Sequence, residues 1–228
     1  MPTRTRVLAV FLLLLSTTLA ACLVDMEYAR PGRPLTPHAG KTLVFSRVRF
    51  FYDDIEVFPW RAPSLADVML HSDAAERHVW LRRLDVTEAS GELQPDKDGS
   101  LAIWLPPGDY ALLGSEQDPA SGGPVGMQVV ALLRVPRDPP AVYAGELVFR
   151  DEYVEGWHGR YTFGHGSVTT DSLAAAVERL ERTYGALAGP PSVSAWCVGP
   201  QLPSFKDPGL VTKARQLLDL DCPVQAAP

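Results

Sequence analysis

Gly99-Ser100-Leu101-Ala102-Ile103-Trp104-Leu105-Pro106-Pro107-Gly108-Asp109-Tyr110 is the stretch on which the fold reading rests. Asp96-Lys97-Asp98-Gly99, at its head, has the acidic-plus-glycine chemistry of a hairpin turn. Ser100 to Leu105 is then the returning strand. Pro106-Pro107-Gly108-Asp109 predicts a type II turn, with Pro107 pre-setting the first dihedral and Gly108 supplying a positive φ. Tyr110 to Gly114 reads as the next strand.

The same grammar extends outward. Lys41 to Tyr52 alternates, with Val44, Val48, Phe50 and Tyr52 on one face and Arg47 and Arg49 on the other, as in a half-buried strand. Val79, Leu81, Leu84 and Val86 mark a strand over His78 to Val86. Gln128 to Val135 and Ala141 to Phe149 read as strong strands around the Pro136 to Pro140 turn. Arg160 to Phe163 and Ser167 to Thr169 complete the set. Residues 53–77, broken by Pro59 and Pro63, are compatible with a short helix or a strand. Short strands punctuated by Pro and Gly, without intervening helices, predict a mainly β chain folded as an antiparallel β-sandwich.

Gly99-Ser100-Leu101 followed by Leu105-Pro106-Pro107-Gly108-Asp109-Tyr110 resembles the Leu-Pro-Pro-Gly-x-Tyr element of transthyretin-like and carboxypeptidase-regulatory-like sandwiches. Val142-Tyr143-Ala144-Gly145-Glu146-Leu147 is similar to the closing strand of bacterial lipoprotein domains of that type. The resemblance covers residues 41–170. It implies a mostly non-catalytic module and carries over no site residue.

Beyond residue 170 the period changes. Leu173, Val177, Leu180 and Tyr184 recur at helical spacing, and Glu178 and Arg182 form an i, i+4 pair. Asp171 suits the N-cap and Gly185 the C′ position. A second helix is expected from Pro208 to Leu218 with Asp207 as its cap. Residues 171–228 thus read as a C-terminal helical extension folded back across Gly189-Pro190-Pro191.

The N-terminus carries an address. Arg4 and Arg6 precede the apolar run Val7 to Leu15, which is shorter than the ~20 residues of a spanning helix and suits a signal peptide. Leu19-Ala20-Ala21-Cys22 resembles the lipobox of bacterial lipoproteins. That resemblance implies transfer of a diacylglyceryl group to Cys22, cleavage before it and N-acylation of the new terminus, so that residues 1–21 are the signal peptide. One acyl chain holds a protein only marginally, so stable anchoring needs at least two. Leu23 stands where an aspartate tends to retain lipoproteins in the inner membrane, which favours an outer-membrane location in a diderm cell. Residues 22–40, with Pro31-Gly32-Arg33-Pro34 and Pro37, read as an extended tether.

Cys197 and Cys222 remain once Cys22 is set aside. In an oxidising envelope they make an even pair. A bridge between them would contribute ~3 kcal/mol in the chain-entropy view. Two reduced cysteines buried as small hydrophobes are the alternative.

Composition narrows the function classes. The 228 residues hold 21 Lys+Arg against 27 Asp+Glu, a net charge of -6, with 46% hydrophobic content and a mean hydropathy of -0.01. This excludes a disordered chain and a multi-span membrane protein. Loss of residues 1–21 removes Arg4 and Arg6 and no acid, leaving 19 basic and 27 acidic residues and a charge of -8. An acidic chain without a basic stripe argues against nucleic acid as partner. The sequence displays no Gly-x-Ser-x-Gly elbow, phosphate loop, dinucleotide fingerprint or His-Glu-x-x-His helix. No catalytic residue, cofactor or metal is therefore expected. His158 and His165 would fall on opposite faces of a strand, and Asp53, Asp54 and Glu56 lack the alternating ligands of a calcium loop. Trp157, Tyr161 and Phe163 could form an aromatic contact platform, although aromatics at strand spacing are usually core. The expected function is a non-catalytic structural or interaction module, anchored to the membrane by lipid, with another envelope protein or a cell-wall component as its candidate partner. A cell-wall, carbohydrate or peptide-binding module is the alternative, which an exposed patch of Trp157, Tyr161 and Trp104 would favour; a hydrolase stands third.

Overall fold

The computed structural model describes residues 25–52, 55–57, 78–86, 90–96, 98–117, 124–154, 160–162, 166–170 and 172–220. In chain order its elements are β1 (Glu27–Tyr28), β2 (Thr42–Tyr52), β3 (Ile55–Val57), β4 (His78–Arg83), β5 (Ser90–Glu92), β6 (Ser100–Leu105), β7 (Gly108–Gln117), β8 (Pro124–Val135), β9 (Ala141–Val154), β10 (Arg160–Thr162), β11 (Gly166–Thr169), α1 (Leu173–Tyr184), β12 (Ser192–Val193) and α2 (Leu210–Asp219). The larger sheet runs β1-β6-β2-β9, with β12, β11 and β10 laid end to end along the far edge of β9 and β3 folded back on β2. The second sheet has four strands in the order β5-β4-β7-β8.

Most pairs are antiparallel, as expected, but the centre of the larger sheet is not. β2 and β9 run parallel, Leu43 opposite Ala141 and Phe50 opposite Phe149. Parallel strands are buried on both faces and lose the clean alternation of a half-exposed strand. Both strands show this at their starts, where Leu43, Val44 and Phe45 and then Ala141, Val142, Tyr143 and Ala144 are all buried. Alternation returns only further along β2, where Arg47 and Arg49 stand opposite Val48 and Phe50.

The two turns that frame Ser100–Leu105 are real, but neither closes a hairpin. β6 belongs to the larger sheet while β5 before it and β7 after it belong to the other, so both turns are arches between sheets. Gly99 has φ 80°, and a Cβ there would collide with the Val48 carbonyl oxygen. Gly108 has φ 155°, far from the value a type II turn requires. The second arch is instead held by Tyr110, whose buried side chain donates from its hydroxyl to the Pro106 carbonyl at 2.6 Å. The Pro136–Pro140 turn likewise carries the chain from β8 across to β9.

The two sheets share one core. Val44, Val48 and Phe50 of β2, Leu101, Ile103 and Leu105 of β6, and Leu147 and Phe149 of β9 meet Val79, Leu81, Tyr110, Leu112 and Leu133 of the opposite sheet. The helices cover the two outer faces. α1 lays Ala176, Leu180 and Tyr184 over Phe45, Ala102, Trp104 and Tyr143. α2 lays Leu210, Ala214 and Leu218 over Ala111, Leu113, Val129 and Leu132. The segment anticipated as an extension therefore supplies the outer layer on each side. Gly185 ends α1 with φ 97°, its N–H donating to Glu181 O, and Glu178 and Arg182 pair at 2.6 Å. α2 begins at Leu210 rather than Pro208. Asp207 accepts the Gly209 N–H at 2.7 Å and pairs with Lys213. Asp171 and residues 58–77 lie outside the described residues.

Residues 25–40 are docked rather than strung out. β1 adds to β6, the Tyr28 hydroxyl donates to Glu92 O at 2.8 Å and accepts the Gln94 N–H at 3.0 Å, and Leu35 is buried under α1. The prolines and glycines shape this path without preventing its contacts.

Gly99→Val should destabilise the protein by about 1–3 kcal/mol, through positive φ and collision with the β2 backbone. Gly108→Ala should cost less, because its Cβ would meet only the flexible Arg83 side chain, at 3.1 Å. Urea unfolding of the two variants checks the order; equal losses would show that the Val48 approach is not limiting.

Candidate functional site

The site grows from a single buried residue. Trp196 lies in a segment with little regular structure, yet its backbone is paired on both sides. Ser194 N–H donates to Tyr143 O at 3.0 Å and Trp196 N–H to Ala144 O at 3.1 Å, which ties the segment to β9. Cys197 and Leu132 then exchange backbone hydrogen bonds of 2.7 and 2.8 Å, which ties it to β8. The segment thus links an edge of one sheet to an edge of the other. The Trp196 ring fills the core between them, and its indole N–H donates to the Ser46 hydroxyl at 2.9 Å. Ser46 in turn donates to the Gly145 carbonyl at 2.7 Å. Gly145 sits where the β2–β9 register shifts, with φ 87°, and a Cβ there would meet Val168 at 2.8 Å and the Thr169 carbonyl at 2.9 Å.

Past Trp196 the chain leaves the core as the loop 199–205. Gly199 has φ 124°, and the Gln201 amide donates to Val198 O at 2.8 Å, tightening the turn. This loop, the β8 residues Gln128 to Val130 and Gly166 at the head of β11 enclose a cleft of about 280 Å³. Gly166 is tightly placed, since a Cβ would lie 2.9 Å from the Phe149 ring. Leu202, Pro203 and Phe205 supply apolar wall, and Gln128 and Ser204 supply polar side chains. The Arg82 guanidinium lies 5.5 Å from the centre of the Phe205 ring. None of the described lining residues is ionisable. Such a lining offers shape, apolar contact and hydrogen bonds.

Several charged groups away from the cleft are paired. Arg49 donates to both carboxylate oxygens of Glu56, at 2.7 and 2.8 Å, and to Glu146 at 2.9 Å. Those hydrogen bonds hold the Glu56 carboxyl below its ordinary range. Glu56, considered above as part of an acidic cluster, is thus committed to an arginine, while Asp53 and Asp54 lie outside the described residues. Arg134 bridges Asp109 at 2.8 Å and Asp219 at 2.7 Å, pinning the end of α2 to β7 and β8. Among the described residues no group of three His, Cys, Asp or Glu could hold a metal.

The residues singled out from sequence fare unevenly. Cys197 is buried at 1% exposure, packed with Leu132 and with Ala214 and Leu218 of α2. Cys22, Cys222, Trp157 and Phe163 lie outside the described residues, as do His158 and His165 and the side chain of Tyr161. Trp104 is buried beneath α1, with the His38 ring stacked on it at 4.8 Å, so it does not contribute to an exposed aromatic patch. The cleft itself escaped the sequence reading. Its walls come from three remote segments, and Pro200 and Pro203 announce only that the chain turns there.

Trp196→Phe should cost about 1–2 kcal/mol by removing the donor to Ser46, and Trp196→Ala about 3–5 kcal/mol by opening a cavity. Thermal unfolding of both variants measures this. A tolerated alanine would show that the two sheets do not rely on this plug.

No helix among the described residues is long and apolar enough to cross a membrane. Comparison with protein-family models, curated proteins and solved structures finds no match for the chain.

Proposed function

We propose that the protein is a lipid-anchored lipoprotein of a bacterial cell envelope, and that its folded part is a non-catalytic module for interaction or structure. The observation that carries this reading is Leu19-Ala20-Ala21-Cys22 behind a short apolar run with two leading arginines. On this reading the folded part begins directly after the anchor, since Asp25 already pairs with Lys41 at 2.8 Å. Leu23 favours the outer membrane in a diderm cell. The two sheets around a common core support a transthyretin-like sandwich, one distinguished by its parallel β2–β9 pair. A second reading, a binding module for a cell-wall, carbohydrate or peptide ligand, is favoured by the cleft beside Phe205, with its apolar wall and the polar side chains of Gln128 and Ser204.

A disulfide between Cys197 and Cys222 belongs to this proposal. Cys197 packs against α2, and Cys222 follows that helix by three residues. The chain could therefore return to Cys197 within the ~7 Å that a bridge requires between Cα atoms. Non-reducing peptide mapping of the mature protein should find the two joined; complete alkylation of both in unreduced, unfolded protein would refute the bridge.

Cys22→Ala should abolish labelling by radioactive palmitate and leave precursor or soluble protein. Persistent labelling of that variant would exclude Cys22 as the anchor.

A further inference from the structure

We infer that the anchored protein stands on the bilayer by one particular pole, formed by the Pro106–Gly108 arch, the Pro136–Pro140 turn and the Asp25–Lys41 pair. The inference rests on Cys22 being the lipidated residue and adds an orientation to that reading.

Two constraints lead there. The first is reach: five peptide steps separate Cys22 from Glu27, which span at most ~18 Å in any conformation. Glu27 is already in β1, so that length is all the slack the anchor allows. The second is register. Glu27 lies opposite Trp104, Trp104 opposite Leu43, and Leu43 opposite Ala141, so the four residues form one row across the larger sheet. β6 ends one residue beyond that row, at Leu105, and enters the Pro106–Gly108 arch. β2 and β9 both begin within one residue of the row, and β9 is fed by the Pro136–Pro140 turn. Leu43 N–H donates to Pro140 O at 3.1 Å and the Thr42 hydroxyl to Pro136 O at 2.9 Å, which holds that turn against the row.

On the other side of the row the described strands β2, β6 and β9 run away from it. β9 continues for 14 residues, about 45 Å at strand rise. β8 arrives from that far end, so Met127 lies eight residues from Val135, a distance of roughly 27 Å. The Gln128–Val130 wall of the cleft is on this remote part of β8, facing the compartment rather than the lipid. The chemistry of the partner at the near pole is accordingly that of a phospholipid headgroup surface.

The test uses the full lipidated chain in vesicles of phosphatidylethanolamine and phosphatidylglycerol doped with headgroup-nitroxide lipid. A fluorophore is placed through Asp138→Cys in the near turn, or through Met127→Cys at the far end; both native residues are exposed. The unsubstituted chain, taken through the same labelling, sets the background. Quenching should be several-fold stronger at position 138 than at 127. A flexible insertion of about 20 Gly/Ser residues after Val24, a coil of roughly 25 Å, should erase the difference. Equal quenching in the uninserted protein, or stronger quenching at 127, would overturn the orientation. The mass of the Cys22 peptide separates the two readings. A lipidated Cys22 with equal quenching refutes the orientation alone, and an unmodified Cys22 refutes both.

Discussion

The hydrogen-bonded line from the Trp196 indole through the Ser46 hydroxyl to the Gly145 carbonyl is the constraint on which the larger arrangement depends. It joins a segment late in the chain to the parallel centre of the larger sheet, at the point where the register of β2 against β9 slips. A hydroxyl buried in a core is costly unless both its donor and acceptor capacities are used. Here the donor goes to Gly145 and the acceptor to Trp196. The irregularity in β9 and the tryptophan thus satisfy each other through one serine. Small changes at Gly145 would propagate, because its neighbours Val168 and Thr169 already crowd it.

That line also decides how the two sheets are joined at their margins. The backbone on either side of Trp196 bonds first to β9 and then to β8, so a few residues close a flank that packing alone would leave open. Where the segment emerges, it sets the loop 199–205 against Gln128–Val130 and so creates the cleft. Stability in this arrangement comes from area buried in three layers of contact, between the sheets and under each helix. The ion pairs are mostly half-exposed, and surface pairs of that kind contribute little each. Arg134 is of interest for its placement between Asp109 and Asp219 rather than for its strength.

The functional proposal and the fold meet at Glu27, where the chain enters the larger sheet. A chain tied to lipid at Cys22 and entering a sheet at Glu27 would have little freedom to swing. Its cleft, carried on the far part of β8, would stay clear of the lipid without further machinery. A cleft whose described lining holds no charged side chain suits recognition by shape and hydrogen bonding more than long-range steering.

Local chemistry was legible in the sequence wherever neighbours in the chain decide the outcome. The alternation from Arg47 to Phe50, the glycine at the end of α1, the Glu178–Arg182 pair and the strand Ser100–Leu105 all follow from spacing and side-chain type. The resemblance to a lipobox at Leu19–Cys22 is likewise read from neighbouring residues alone, and it lies outside the described residues. What required the tertiary structure was which strand meets which. Asp96–Gly99 and Pro106–Asp109 carry turn signals whether the next strand returns to its neighbour or crosses to another sheet, because turn residues encode dihedrals and not partners. The parallel pairing of β2 with β9 joins segments about a hundred residues apart, and the docking of residues 25–40 depends on β6 and α1 being in place to receive them. Trp196 reads in sequence as one aromatic among prolines. Only the assembled sheets supply the Ser46 hydroxyl and the gap that make it the plug of the core.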